Sequence, residues 1–284
     1  MKIALSTQSS ADLSPELIEK LGAHIVPFTI VLGEETFADG ERPIEDLFDY
    51  FDKTGKLPRT SAINVAQYQE HYAALLKDHD CVIHISMSKE CSSAFNNAMA
   101  AAEDYKGKVF IVDSTVFHSG LALLVCYARA LIDKGLEPVE IVKRLIARAS
   151  FISTTATLET TKYLVAGGRC NALVGLGANL LKLRPMVRMK HGKLGSYKKF
   201  RGPRKKWVPE YIDEVLSLND NPDHHLVFVS STTEMDEWVA LAKERLEKAG
   251  FKNVIYLKAG ATIGVHTGPG TFSIEMFNDG DHEW

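Results

Sequence analysis

Through its first 150 residues the chain alternates short β-branched apolar runs with segments of helix length, and this rhythm narrows the fold more than any other feature. Residues 2–6, 25–32, 82–86 and 109–112 read as strands. Residues 14–21, 44–54, 65–77, 94–104, 119–133 and 138–149 read as helices, with Asp12 the capping candidate for the first and Asn64 for the third. Parallel strands need helical crossovers, so a βαβα order predicts a parallel sheet covered by helices. In open sheets of this kind ligands sit outside the carboxyl ends of the strands. Thr60-Ser61, residues 86–93 and Asp113-Ser114-Thr115 all fall just past such runs or just before helices, a placement that lets them share one rim.

Beyond residue 151 the texture changes. No Asp or Glu occurs from 160 to 209, while 182–206 holds eleven Lys or Arg. Strand-like runs at 185–190 and 193–200 flank a His191-Gly192 turn, and 212–216, 225–230, 234–248 and 254–258 read as helix, strand, helix and strand. The expected division is therefore 1–150 and 151–284. Apolar content of 45% with 24% charged residues fits a globular chain with ample core. A net charge of −3 argues against a globally basic nucleic-acid binder. The opening segment is too brief for a signal-peptide core, and no apolar run nears the roughly 18–20 residues of a membrane span. Residues 121–132 are the most apolar stretch, and they read as a buried helix. Cys81, Cys91, Cys126 and Cys170 lack C-x-x-C spacing, so neither a zinc site nor a disulfide frame is expected. The chain is expected to be cytoplasmic.

Chemistry concentrates in the stretch after the 82–86 run. An apolar strand ends in hydroxyl residues, and a helix begins at Ala94. Helix N-termini carry unpaired donors and partial positive charge, so this corner favours a carboxylate, a phosphate or a developing oxyanion. Ser92 is open to three roles: helix cap, carboxylate holder or nucleophile. No G-x-S-x-G elbow surrounds it. Residues 264–270 place three glycines and a proline around His266, which describes a shaped loop able to present an imidazole. Residues 158–169 read as a helix stopped by glycine, with Arg169 just past its end, placed to cap carbonyls or reach a ligand. The basic stretch 182–206 reads either as a solvated hairpin or as a docking face for an acidic protein or phospholipid headgroup. It lacks a nucleic-acid motif, and no phosphate-binding loop occurs in the chain.

Taken in order, these segments resemble the DegV family across essentially the whole chain. The matches include Thr7-x-Ser9 with Ala11-Asp12-Leu13, Phe37-x-Asp39-Gly40, Thr60-Ser61, Ser88 with Ser92, Val112-Asp113-Ser114 and Ser119-Gly120. Gly167-Gly168-Arg169, Lys182-x-x-Pro185, Arg201-Gly202 and His266-Thr267-Gly268-Pro269-Gly270 complete the series. Gln8 stands where the family start is usually acidic. The resemblance implies two α/β domains, the first with a parallel sheet and the second with a mixed one. It further implies a non-enzymatic carrier that buries a long-chain fatty acid, needs no cofactor, and presents the carboxylate to a separate ATP-dependent kinase subunit, giving an acyl phosphate for phospholipid synthesis. By position, Thr60, Ser61, Ser92, Ser93, Arg169 and His266 would hold the carboxylate. Arg201, with Arg204, would face the partner, and transient contact with a membrane or acyltransferase is compatible with this role. Two other readings stand beside it: a hydrolase or acyl transferase using Ser92 or Cys91 with His266, and a basic adaptor acting through 182–206.

Overall fold

A computed structural model describes residues 1–168 and 183–284. Strands β1 (Ile3–Gln8), β2 (Ala23–Val26), β6 (Cys81–Ser86) and β7 (Val109–Asp113) form a wholly parallel sheet in the order β2-β1-β6-β7. Its helices begin where local chemistry favours them. In α1 (Pro15–Leu21) proline occupies the first turn and Ser14 accepts from the Leu17 N–H at 3.3 Å. Ser14, not Asp12, is thus the cap; Asp12 ends a preceding 3-10 turn at φ 52° and turns its carboxylate elsewhere. Asn64 caps α3 (Val65–Leu75) in a reciprocal capping box with Gln67.

The expected strand 25–32 is two strands in two sheets. Pro27 interrupts it, and β3 (Thr29–Leu32) pairs antiparallel with β4 (Glu35–Ala38) and β5 (Arg59–Ser61) in a small separate sheet. Thr60 and Ser61 therefore lie within a strand of this sheet, opposite Ile30 and Thr29.

The remaining strands form one six-stranded mixed sheet, ordered β10-β9-β8-β13-β11-β12. They are β8 (Ile152–Thr157), β9 (Leu183–Lys190), β10 (Lys193–Arg201), β11 (Val227–Ser231), β12 (Val254–Lys258) and β13 (Phe272–Phe277). Only β11 and β12 pair in parallel. Strand β8 lacks a hydrophobic signature, and two of its buried hydroxyls find partners: Thr155 Oγ1 meets the Tyr211 hydroxyl at 2.8 Å, and Thr157 Oγ1 donates to the Phe272 carbonyl at 3.2 Å.

Helix α5 (Ser119–Asp133) joins the two sheets, packing against β1 and β6 on one side and β8, β11 and β13 on the other. That placement explains why it is apolar nearly all round. Gly120 permits the close approach, since a Cβ there would lie 2.4 Å from Thr154 Oγ1. A buried polar chain also crosses the junction: Asp12 to His118, His118 to Ser230, and Ser230 to Ser273. Burial pulls the His118 imidazole down, but the Asp12 carboxylate, with Glu275, more than offsets this and raises its pKa.

Candidate functional site

Strand β6 is buried along its whole length and delivers the chain to the serine-rich corner. Gln8 secures the exit. Its amide nitrogen donates to the Tyr68 hydroxyl at 2.6 Å and Ser86 Oγ at 2.8 Å, while its oxygen accepts from the Met87 N–H at 3.0 Å. An ionised acid at this position has no donor to give, which accounts for the amide here. Ser88 turns away from the corner and donates to the Gly192 carbonyl at 2.7 Å, tying the loop to the β9–β10 hairpin tip. Ser92 accepts from the Ala94 N–H at 3.2 Å, and Ser93 occupies the N-cap position of α4 (Ala94–Ala102) without a side-chain cap bond. Asn97 of α4 donates to the Ile63 carbonyl at 2.8 Å, holding the segment after Thr60-Ser61 against the same helix.

His266 arrives from the other sheet. Residues expected to form a loop instead give the short helix α10 (Ala261–Thr267), stopped by Gly268 at φ 76°. Two carboxylates hold its start: Asp12 accepts from the Gly260 N–H at 2.9 Å and Asp39 from the Ala261 N–H at 3.0 Å. Burial, together with the neighbouring Asp12, raises the Asp39 pKa. The glycines serve close packing, because a Cβ on Gly264 would stand 2.4 Å from Ile44 Cδ1 and one on Gly268 2.5 Å from Tyr163. A Cβ on Gly167, in α7 (Lys162–Gly167), would sit 2.8 Å from His266 Nδ1. So fixed, His266 Nε2 reaches Thr60 Oγ1 at 2.9 Å, across 206 residues of sequence.

The three segments enclose a cavity of about 290 Å³. Thr60, Ser61, Ser92, Ser93 and His266 all line it, with Cys91, Thr262 and Thr267; Phe28, Met87, Phe117, Leu164, Leu194 and Ile263 supply apolar wall. Hydroxyls and a helix N-terminus beside apolar wall suit an amphipathic anion: charge-assisted hydrogen bonds satisfy a head that is costly to bury alone. Arg169 lies outside the described residues. Of the expected partner-facing pair, Arg201 is exposed at the end of β10, and Arg204 is ion-paired to Glu159 at 2.6 Å. The hairpin's basic charge is partly answered within the protein, by Lys198 with Glu214 and by Lys193 with Glu90 at 3.2 Å. The sequence carried no signal for the apolar wall, whose residues look like ordinary core; Asp12 and Asp39 stand in matched family segments, but nothing local marks them as the clamp on α10. Among the described residues no cluster of His, Cys, Asp or Glu is placed to hold a metal ion, and no helix is long and apolar enough to cross a membrane.

A parallel-sheet lobe and a mixed-sheet lobe meeting at an apolar cavity with a hydroxyl-lined end define an α/β protein with a candidate ligand site. Comparison with known proteins is specific. Residues 2–279 match the family described as "Uncharacterised protein, DegV family", and the chain belongs to that family. It is 29% identical to a DegV domain-containing protein of Clostridium perfringens, over 94% of this chain and 95% of that one. It is 26% identical to a protein of Thermotoga maritima named fatty acid-binding protein, over 97% and 98% of the two chains. A solved structure described as fatty acid binding of a DegV family protein from Thermus thermophilus superposes with a TM-score of 0.91 at 24% identity, covering 98% of this chain and all of that one. Fatty-acid binding is thus named for the Thermotoga maritima relative and described for the Thermus thermophilus structure.

Proposed function

We propose that this protein binds a long-chain fatty acid, its carboxylate held by Thr60, Ser61, Ser92, Ser93 and His266. The observation that carries this reading is the meeting of these residues, from β5, the α4 N-terminus and α10, at one cavity with apolar wall. Each buried methylene contributes about 0.8 kcal/mol, so the apolar wall supplies affinity while the donors fix the head. The fatty-acid binding named for the Thermotoga and Thermus relatives supports the same assignment. The geometry of the hydroxyls favours holding over attack: His266 Nε2 is engaged by Thr60, and Ser92 Oγ by the Ala94 N–H.

In the fuller reading the protein works in the cytoplasm as the substrate-carrying subunit of a fatty acid kinase, with no catalytic site of its own. Arg169 adds a cation beside the head, and Arg201 and Arg204 meet the kinase subunit. Residues 1–150 contribute the carboxylate-binding loops and 151–284 bring Arg169 and His266. Native mass spectrometry of the purified protein tests the central claim, and a co-purified mass equal to a long-chain fatty acid is expected. Delipidated protein that fails to take up palmitate, or that hydrolyses activated esters in a manner abolished by Ser92→Ala, would overturn it.

A further inference from the structure

Thr60 and His266 line a second cavity as well as the first. It has a volume of about 260 Å³ and is bounded by Pro58, Arg59, Tyr163 and Gly167 together with those two residues. At this point the boundary between the cavities includes the 2.9 Å hydrogen bond from Thr60 Oγ1 to His266 Nε2. The absence of a side chain at Gly167 leaves room there, since a Cβ would press on His266 at 2.8 Å. Among the described lining residues Arg59 alone carries a fixed charge. It is exposed at the start of β5, and among the described residues it forms no ion pair, whereas Arg204 is paired with Glu159. A guanidinium presents a planar fork of donors that matches phosphate oxygens.

We propose that this second cavity is a phosphate site, the side from which a phosphoryl group reaches the bound carboxylate, with Arg59 the side chain that holds its oxygens. The assignment rests on the carrier reading above. A carboxylate oxygen seated at Thr60 and His266 attacks the terminal phosphorus of a nucleoside triphosphate held by the partner. The new P–O bond forms as the bond to the leaving diphosphate breaks, and that bond's electron pair departs with the nucleoside diphosphate. No proton need move, and the acyl phosphate is left with its chain in the first cavity and its phosphate in the second.

The test is titration of delipidated protein with sodium palmitate and with hexadecyl phosphate, a stable stand-in for an acyl phosphate, in wild type, Arg59→Gln and Arg59→Lys. Arg59→Gln is expected to weaken hexadecyl phosphate by roughly tenfold, the worth of a charge-assisted hydrogen bond at an accessible site, while palmitate stays within about twofold. Arg59→Lys, which keeps the charge but not the planar fork, should recover part of the loss. Equal effects on both ligands, or no effect on either, would overturn the phosphate site while leaving fatty-acid binding intact. A wild-type protein that does not bind palmitate at all would overturn the carrier reading, and the phosphate site with it.

Discussion

Replacing Thr60 by valine removes one hydroxyl and little else. The residue sits in β5 opposite Ile30, and valine keeps the β-branch that suits a strand. What is lost is the 2.9 Å bond to His266 Nε2 and, with ligand present, a donor to the carboxylate. In the ligand-free protein the loss amounts to about 1 kcal/mol, the net worth of a neutral hydrogen bond. With a carboxylate bound the missing contact is to a charged group, worth about 1.5–3 kcal/mol, or roughly a tenfold to hundredfold rise in Kd. Calorimetric titration with saturated fatty acids of increasing length separates head from tail. Wild type and Thr60→Val should show parallel gains of about fourfold per added methylene, since that contribution comes from the apolar wall. The offset between the two lines measures the head alone. Thr60→Val that is less stable in urea yet binds palmitate within twofold of wild type would show that the carboxylate does not rest at Thr60.

Two further perturbations test how the lobes are joined. Glu275 is fully buried, and burial raises its carboxyl from 4.5 to about 7, against the opposing pull of His118. The native state then holds a proton that the unfolded chain has released, so this residue makes stability fall as pH rises from 4.5 to about 7. Urea unfolding at pH 4.5 and 7.5 should show Glu275→Gln gaining on wild type by roughly 3 kcal/mol over that interval, and a pH-independent difference would refute the shift. Arg148 is almost fully buried, paired with Asp223 and Asp279, and lies 3.8 Å from the Phe277 ring centroid and 5.3 Å from that of Trp284. Arg148→Ala removes the counter-charge of the buried Asp223 carboxylate, leaving it only the Trp284 Nε1–H at 2.8 Å and the His225 N–H at 2.9 Å. The change should cost about 3–5 kcal/mol in the same assay; a loss under about 1 kcal/mol would mean that these two donors suffice.

Local chemistry written in the sequence accounts for much of the first lobe. The period of its apolar residues, the Asn64–Gln67 capping box and the proline opening α6 (Pro138–Ala149) act within a turn or two of chain, so they are legible without knowing what packs above them. Where the reading failed, a distant partner had overridden the local pattern. Residues 25–32 look like one strand until the two sheets divide them at Pro27. The Thr-rich β8 is a central strand, with Tyr211 and the β13 carbonyls satisfying the hydroxyls of Thr155 and Thr157. The glycines of 264–270 signal a loop, yet they make room for Ile44 and Tyr163 against a helix.

The site divides along the same line. Residue types and family pattern named Thr60, Ser61, Ser92, Ser93 and His266 in advance, because hydroxyls near a helix start and an imidazole among glycines are local signals. No local signal joins β5 to α10, and none makes Asp12 and Asp39 the clamp on the helix that carries His266. The 2.9 Å contact from Thr60 to His266 depends on how β5 and α10 are placed relative to each other, and long-range packing sets that placement. The same is true of the two cavities that share this contact, whose walls come from segments that only folding brings together.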